Sequence, residues 1–314
     1  MPVLQPDREK YQTFIVDQIK RMGCLEFDPE TILWHYTTGP GLLGIIESGT
    51  IHATQASCLN DSTEIRYASK LYRDALIELR EKKAEDADAQ QFLSKVLELT
   101  QEDPAAPIHG PSRFFVACFS PQEDDLSQWR AYSDSGGENG YAIGFVARGL
   151  NNLPNGAVLR VNYERALHKT VALETAEATL QFFREGIQNK RADTVDRWAS
   201  EFLVEWQEWI SRLAPIAKDD CFQTENEYRI VHELNVTELH QIRFKQKTTL
   251  LSRYLPLSFP LWMGTRSPML PIVKVMVGPG RHQAITQISV KELLKQMGYG
   301  NATVSISARP LQLA

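Results

Sequence analysis

Three short polar clusters carry the residue types that could do chemistry. The first is His35-Tyr36-Thr37, which ends the apolar stretch Ile32-Leu33-Trp34 and precedes the turn Gly39-Pro40-Gly41; Asn60-Asp61-Ser62-Thr63-Glu64 follows about 25 residues later. A histidine at a strand end beside a glycine-rich turn suits a ligand contact, and it equally suits a hydrogen-bonded structural residue. Asn60-Asp61 reads as part of the same site or as a turn and helix cap. The second cluster is Cys118-Phe119-Ser120 leading to Asp124-Asp125-Leu126-Ser127-Gln128-Trp129-Arg130-Ala131-Tyr132, with Gly136, Gly137 and Gly140 behind it. Trp129 and Tyr132 fall three apart and share a helix face. They could line a pocket or pack under the glycine loop. The third is Glu225-Asn226-Glu227-Tyr228-Arg229. If this stretch is extended, with a strand starting at Glu227, both carboxylates project from one face. Two like charges so close raise one pKa unless cations or hydrogen bonds compensate. The alternative is a solvated loop with Arg229 as ion-pair partner.

The elements that position these clusters read as follows. Residues 7–22 form an amphipathic helix capped by Gly23. Residues 31–37 form a strand, 42–48 a helix closed by Gly49, and 51–54 a second strand. Residues 62–100 are helical throughout, with Ile65, Ala68, Leu71, Tyr72 and Ala75 as the buried stripe and Asp61 or Ser62 as N-cap. Arg80 to Gln91 is a solvated, charge-dense face. Pro104, Pro107 and Pro111 mark a loop. Phe114–Phe119 and Tyr141–Val146 are strands by their continuous apolar runs. Residues 166–214 are helical, with Leu180, Phe183, Ile187, Trp198, Phe202, Trp206 and Trp209 as core. Tyr228–Val231 is a strand. The tail is a β-α-β unit: strand 272–277, a helix from about Ser289 to Met297, and strand 303–306. Mixed, irregularly alternating elements predict an α+β fold with a mixed sheet. The expected organisation is a lead-in over 1–30 and one domain over 31–314, with helical insertions at about 62–103 and 166–215.

Composition sets the class. The chain has 314 residues, 43% hydrophobic and 23% charged, with net charge -5. That is ordinary globular composition without an overall basic footprint for nucleic acid. Cys24, Cys58, Cys118 and Cys221 lack zinc spacing and read as four buried, reduced thiols. No apolar leader opens the sequence, and no run nears the roughly 18 apolar residues of a membrane helix. The expectation is a cytoplasmic protein that makes no membrane contact. No metal motif is present, and the sequence leaves the oligomeric state open.

Taken together, Trp34-His35-Tyr36-Thr37, Leu59-Asn60-Asp61-x-x-Glu64, Cys118-Phe119-Ser120 with Trp129 and Tyr132, Glu225-x-Glu227-x-Arg229 and Val277-Gly278-Pro279 resemble the bacterial domain-of-unknown-function family 2971, over about residues 32 to 310. That family name carries no activity. The three clusters, in order, are also similar to the signature strands of ADP-ribosyltransferases. So is His35-Tyr36-Thr37 followed by Gly41-Leu42-Leu43-Gly44-Ile45-Ile46-Glu47-Ser48-Gly49. The middle motif departs from that pattern, being Phe119-Ser120 rather than Ser-Thr-Ser, and the helical insertions are large.

This second resemblance implies an enzyme that uses NAD as substrate. Glu227 would stabilise the transition state, Glu225 would orient or deprotonate the acceptor, and His35 would hold the adenosine ribose. Tyr36, Thr37, Asn60, Ser120, Trp129, Tyr132 and Arg229 would line the pocket. The acceptor stays unspecified, and the roles the resemblance admits include a toxin or defence effector acting on nucleic acid or protein. Two other readings compete. One is a non-catalytic nucleotide- or partner-binding module on the same scaffold. The other is a magnesium-using nuclease or phosphotransferase built on Asp124, Asp125, Glu225 and Glu227.

Overall fold

The computed structural model describes residues 5–59, 63–99, 113–133, 140–188, 212–246, 250–259 and 269–309. Asn60, Asp61 and Ser62, the three loop prolines, Gly136, Gly137 and the stripe Trp198, Phe202, Trp206 and Trp209 lie outside these residues. The fold is α+β.

The chain divides into two compact units: residues 1–26, 55–114 and 161–224, and residues 27–54, 115–160 and 225–314. The N-terminal helix and the two helical insertions fall in the first of these units.

That first unit is helical. It holds α1 (Gln5–Arg21), α3 (Thr63–Lys82), α4 (Ala87–Leu99) and α7 (Arg165–Gln188). The expected continuous helix over 62–100 breaks after Lys82 because Asp86 starts a new one: its carboxylate accepts from Ala89 N at 3.1 Å. Ala68, Tyr72 and Ala75 are buried as the stripe predicts, joined by Leu76 and Leu79. Phe92 of α4 stacks on Phe183 of α7 at 4.1 Å. The Tyr67 hydroxyl lies 2.8 Å from His168 Nδ1.

The second unit carries the sheets. Its four-stranded sheet runs β1 (Ile32–Thr38), β4 (Gly140–Val146), β9 (Ile272–Val277), β10 (Thr303–Ile306). Its six-stranded sheet runs β5 (Gly156–Arg160), β6 (Tyr228–Glu233), β3 (Phe114–Phe119), β2 (Thr50–Gln55), β8 (Leu251–Ser258), β7 (Arg243–Gln246). Three short helices complete it up to β5: α2 (Gly39–Ser48), α5 (Leu126–Tyr132) and α6 (Ala147–Leu150). Helix α2 begins where the Thr38 hydroxyl accepts from Gly41 N, and it stops at Gly49, whose φ of 63° lets its N–H reach Ile45 O.

Leu33, Ile51, Phe115, Phe119, Ile143, Phe145, Ile230, Leu255 and Val275 form one apolar core. The C-terminal β-α-β unit is present, β10 pairing parallel to β9 across α8 (Gln283–Gln296). This helix starts earlier than apolar spacing suggests. Its first turns are pinned by polar side chains: Gln283 Nε2 donates to Gly278 O and Ser307 O, and Gln287 Nε2 to Val304 O.

Among the described residues no helix is long and apolar enough to cross a membrane. The cysteines form no disulfide, but only Cys24 is buried. Cys58 and Cys118 are partly exposed and Cys221 is exposed, so four buried thiols is too strong a reading.

Candidate functional site

Strand alternation sends His35 and Tyr36 to opposite faces of β1. His35 shares a face with Leu33 and pairs across from Ile143 on β4. Its Nδ1 lies 2.9 Å from the Cys118 carbonyl, which can only accept, so Nδ1 carries the hydrogen and Nε2 is the acceptor of the neutral ring. Burial pushes the imidazole below its ordinary pKa, helped by Lys245 and opposed by the Cys118 hydrogen bond. Thr37 lies tight against the following turn. A Cβ on Gly41 would come within 1.9 Å of its hydroxyl, so a larger residue there would force the Thr37 side chain to move.

Tyr36 joins Trp34, Trp129, Ala142 and Met276 in a second apolar cluster. Its hydroxyl donates to Gln122 O at 2.7 Å and accepts from Asp125 N at 3.1 Å, and its ring meets Trp129 edge-on at 4.7 Å. Burial raises its pKa far above the usual phenol value.

Trp129 is 1% exposed, whereas Tyr132 is 43% exposed at the end of the same helix. Three-residue spacing did not give these rings a common environment. The Trp129 indole is a packing element, and of the two only Tyr132 presents an open ring. Ser120 is 4% exposed, exchanges backbone hydrogen bonds with Trp34, and its hydroxyl accepts from Gln122 N. It is the joint by which β1 of one sheet continues onto β3 of the other.

The third cluster departs from the extended reading. Glu225 ends a 3-10 turn (Asp220–Glu225), Asn226 adopts φ 42°, and the strand starts at Tyr228. The left-handed residue between the glutamates breaks the two-residue alternation that would place both carboxylates on one face. Asn226 tolerates this conformation, and its side-chain oxygen accepts from Arg160 Nη2 at 3.3 Å. Glu227 and Arg229 are both buried, and Arg229 Nη2 donates to Glu227 Oε2 at 2.6 Å. The ion pair with Arg229 therefore forms, in the interior rather than in solvent.

The topology links the strands that carry or adjoin the clusters: Ser120, just past β3, bridges Trp34 of β1, and β6, which follows Glu227 directly, lies beside β3 in the six-stranded sheet. Asn60 lies outside the described residues.

Asp124, which the sequence offers as a possible magnesium ligand, is instead central to this region as a hydrogen-bond acceptor. Asp124 Oδ1 accepts from Trp129 Nε1 at 2.7 Å and from Ser307 Oγ at 2.6 Å, and Oδ2 accepts from Ala308 N at 3.1 Å. Asp125 is the helix cap, accepting from Ser127 N. With Asp124 committed to protein donors and Asp125 to a cap, the acidic cluster of the magnesium reading is not assembled as a unit. Among the described residues no group of three or more His, Cys, Asp or Glu is arranged to hold a metal ion.

Residues 128–230 match the family DUF2971, a protein of unknown function. The match runs from α5 into β6, so it takes in Trp129, Tyr132, Glu225, Glu227 and Arg229 and leaves His35, Asn60 and Ser120 outside. DUF2971 carries no activity that could assign roles to these residues. No curated protein and no solved structure matches the chain.

Proposed function

We propose that the sheet-bearing unit is an ADP-ribosyltransferase-like enzyme that uses NAD as substrate, with the family likeness extending beyond residues 128–230 and the protein working in the reducing cytoplasm. One observation carries the reading. Three clusters scattered along the sequence sit on or next to linked strands: His35 on β1, Ser120 just past β3 and bridged to Trp34 of β1, and Glu227 just before β6, the neighbour of β3.

The chemistry suits these groups. The bond between nicotinamide and ribose C1′ breaks, and its electron pair leaves with neutral nicotinamide through an oxocarbenium-like transition state. Glu227, ion-paired with Arg229, accepts a ribose hydroxyl and faces the growing positive charge. His35 Nε2 accepts from the adenosine ribose and fixes the pose. Tyr132 offers a ring to the nicotinamide. The acceptor's nucleophile forms the new bond to C1′ and gives up its proton, to Glu225 or to water.

The test is NAD consumption, or transfer of label from NAD to nucleic acid or protein acceptors. Wild type should consume NAD and Glu227→Gln should not; equal behaviour of the two sinks the reading.

A second reading, a non-catalytic nucleotide-binding module, is favoured by the position of Glu225. It sits in a 3-10 turn instead of beside Glu227, away from where an acceptor-activating carboxylate is wanted. Saturable NAD binding without turnover would select it.

A further inference from the structure

A second polar surface lies on the far side of the six-stranded sheet from its apolar core. Antiparallel pairing puts His52 opposite Pro256, Tyr254 opposite both Thr54 and Arg243, and Lys245 opposite Ser252. Directly opposed residues share a face and alternate residues return to it, so His52, Tyr254, Arg243, Lys245 and Ser252 all project from one side of β2, β8 and β7. The intervening Ile51, Ala53, Leu255 and Leu257 fill the core on the other side. Side-chain geometry bears out the register. The His52 and Tyr254 rings meet at 4.4 Å, and Lys245 Nζ lies 5.7 Å from the Tyr254 ring centroid.

Three further observations point to an anion. Burial is the main cause that lowers the pKa of the two nearby imidazoles, His52 and His35, and Lys245 brings a positive charge close enough to lower both further. Ser252 is fully buried on this face, and its hydroxyl has no hydrogen-bond partner among the described residues. Arg243 is exposed across from Tyr254, its Nη1 donating to the carbonyls of His240 and Ile242, which fixes one more positive charge at the rim.

We propose that this face binds a phosphoryl group, with Lys245 as its charged contact, His52 as a neutral hydrogen-bond donor and Tyr254 as the plate that holds both in position. The inference rests on the NAD reading only for the natural ligand, whose diphosphate would supply that group. The binding chemistry is shared by any di- or triphosphate.

The experiment titrates the full chain calorimetrically with inorganic pyrophosphate and with ADP-ribose at fixed ionic strength, alongside an NAD-consumption assay. Losing one charge-assisted contact costs about tenfold or more in affinity. Lys245→Ala should therefore weaken both probes by about that factor, and His52→Gln should weaken them as well. Lys245→Arg should restore binding, and Lys291→Ala on exposed α8, which removes the same charge elsewhere, should change nothing. The proposal is overturned if pyrophosphate does not bind wild type, or if Lys245→Ala and Lys291→Ala behave alike while both melt as wild type does. The two readings separate cleanly. Lys245-dependent pyrophosphate binding without NAD turnover upholds the phosphoryl site and removes the NAD enzyme. NAD turnover together with pyrophosphate binding that is indifferent to Lys245→Ala does the reverse.

Discussion

The Ser307 hydroxyl donates to the Asp124 carboxylate at 2.6 Å across 183 positions of sequence. The same carboxylate accepts from the indole of Trp129 and the backbone of Ala308, and the Asp124 carbonyl accepts from Arg309 Nε. One side chain thus fastens the segment after β10 to the turn that opens α5. Asp124→Ala leaves several donors to find new partners. The expected loss is about 2–3 kcal/mol in chemical denaturation, with faster amide exchange at Ala308 and Arg309. Unchanged exchange there means the link is incidental.

Glycine at 278 is required by what surrounds it. A Cβ there would lie 2.8 Å from the Gly140 carbonyl and 2.9 Å from Trp129 Cζ3, while Gly278 N donates to that same carbonyl. Gly278→Ala should cost about 1–3 kcal/mol by overpacking. A denaturation midpoint equal to wild type contradicts this. Trp129→Ala, by contrast, opens a cavity and should cost about 3–5 kcal/mol.

Glu227 calls for two substitutions. Glu227→Ala withdraws the carboxylate from a guanidinium that is 2% exposed, and breaking such a pair costs about 3–5 kcal/mol. Loss of activity in that variant therefore mixes folding with chemistry. Glu227→Gln keeps an acceptor for Arg229 and should be distinctly more stable, while still losing NAD consumption. If the two variants melt together, the pair with Arg229 contributes little.

The carboxylate two residues earlier should behave differently. Since Glu225 lies off the strand, Glu225→Gln should retain NAD hydrolysis to water where Glu227→Gln loses it. Equal loss in both variants would show that the glutamates act as one unit despite the left-handed Asn226.

His168 gives the helical unit a pH dependence. Burial holds its imidazole at about 4, below the ordinary 6.5. The unfolded chain therefore takes up its proton first as pH falls. The stabilisation is fully present above pH 6.5 and is lost progressively from 6.5 down towards 4. Denaturation midpoints of wild type should drop through that window, and His168→Gln should flatten the slope. Parallel curves for the two proteins would count against it.

Local pattern reached some of this architecture and not the rest. Strands β3 and β4 are continuous apolar runs, and α2 is bracketed by Thr38 and Gly49, so both kinds of signal lie within a few residues. Strands β5, β7 and β8 escaped because they are short or alternate with polar residues. That same alternation, His52-x-Thr54, Ser252-x-Tyr254 and Arg243-x-Lys245, is what builds the cationic face. His35, Ser120 and Glu227 could be picked out by type, but their adjacency depends on the bridge at Trp34 and on β6 lying beside β3, which no window of sequence contains. Glu225 was misplaced because one positive φ at Asn226 undoes an alternation that residue spacing alone assumes.

The order of strands in the smaller sheet bears on how the protein is made. β4 is flanked by β1, which precedes it in the chain, and by β9, whose residues 272–277 come far later. During translation one edge of β4 waits, unpaired, while more than a hundred further residues are added. At about 5–20 residues per second that is a delay on the order of ten seconds, long enough for an open apolar strand to meet the wrong partner. Overexpression should therefore be limited by the lifetime of this half-built sheet, and slowing synthesis before β9 should worsen aggregation rather than relieve it.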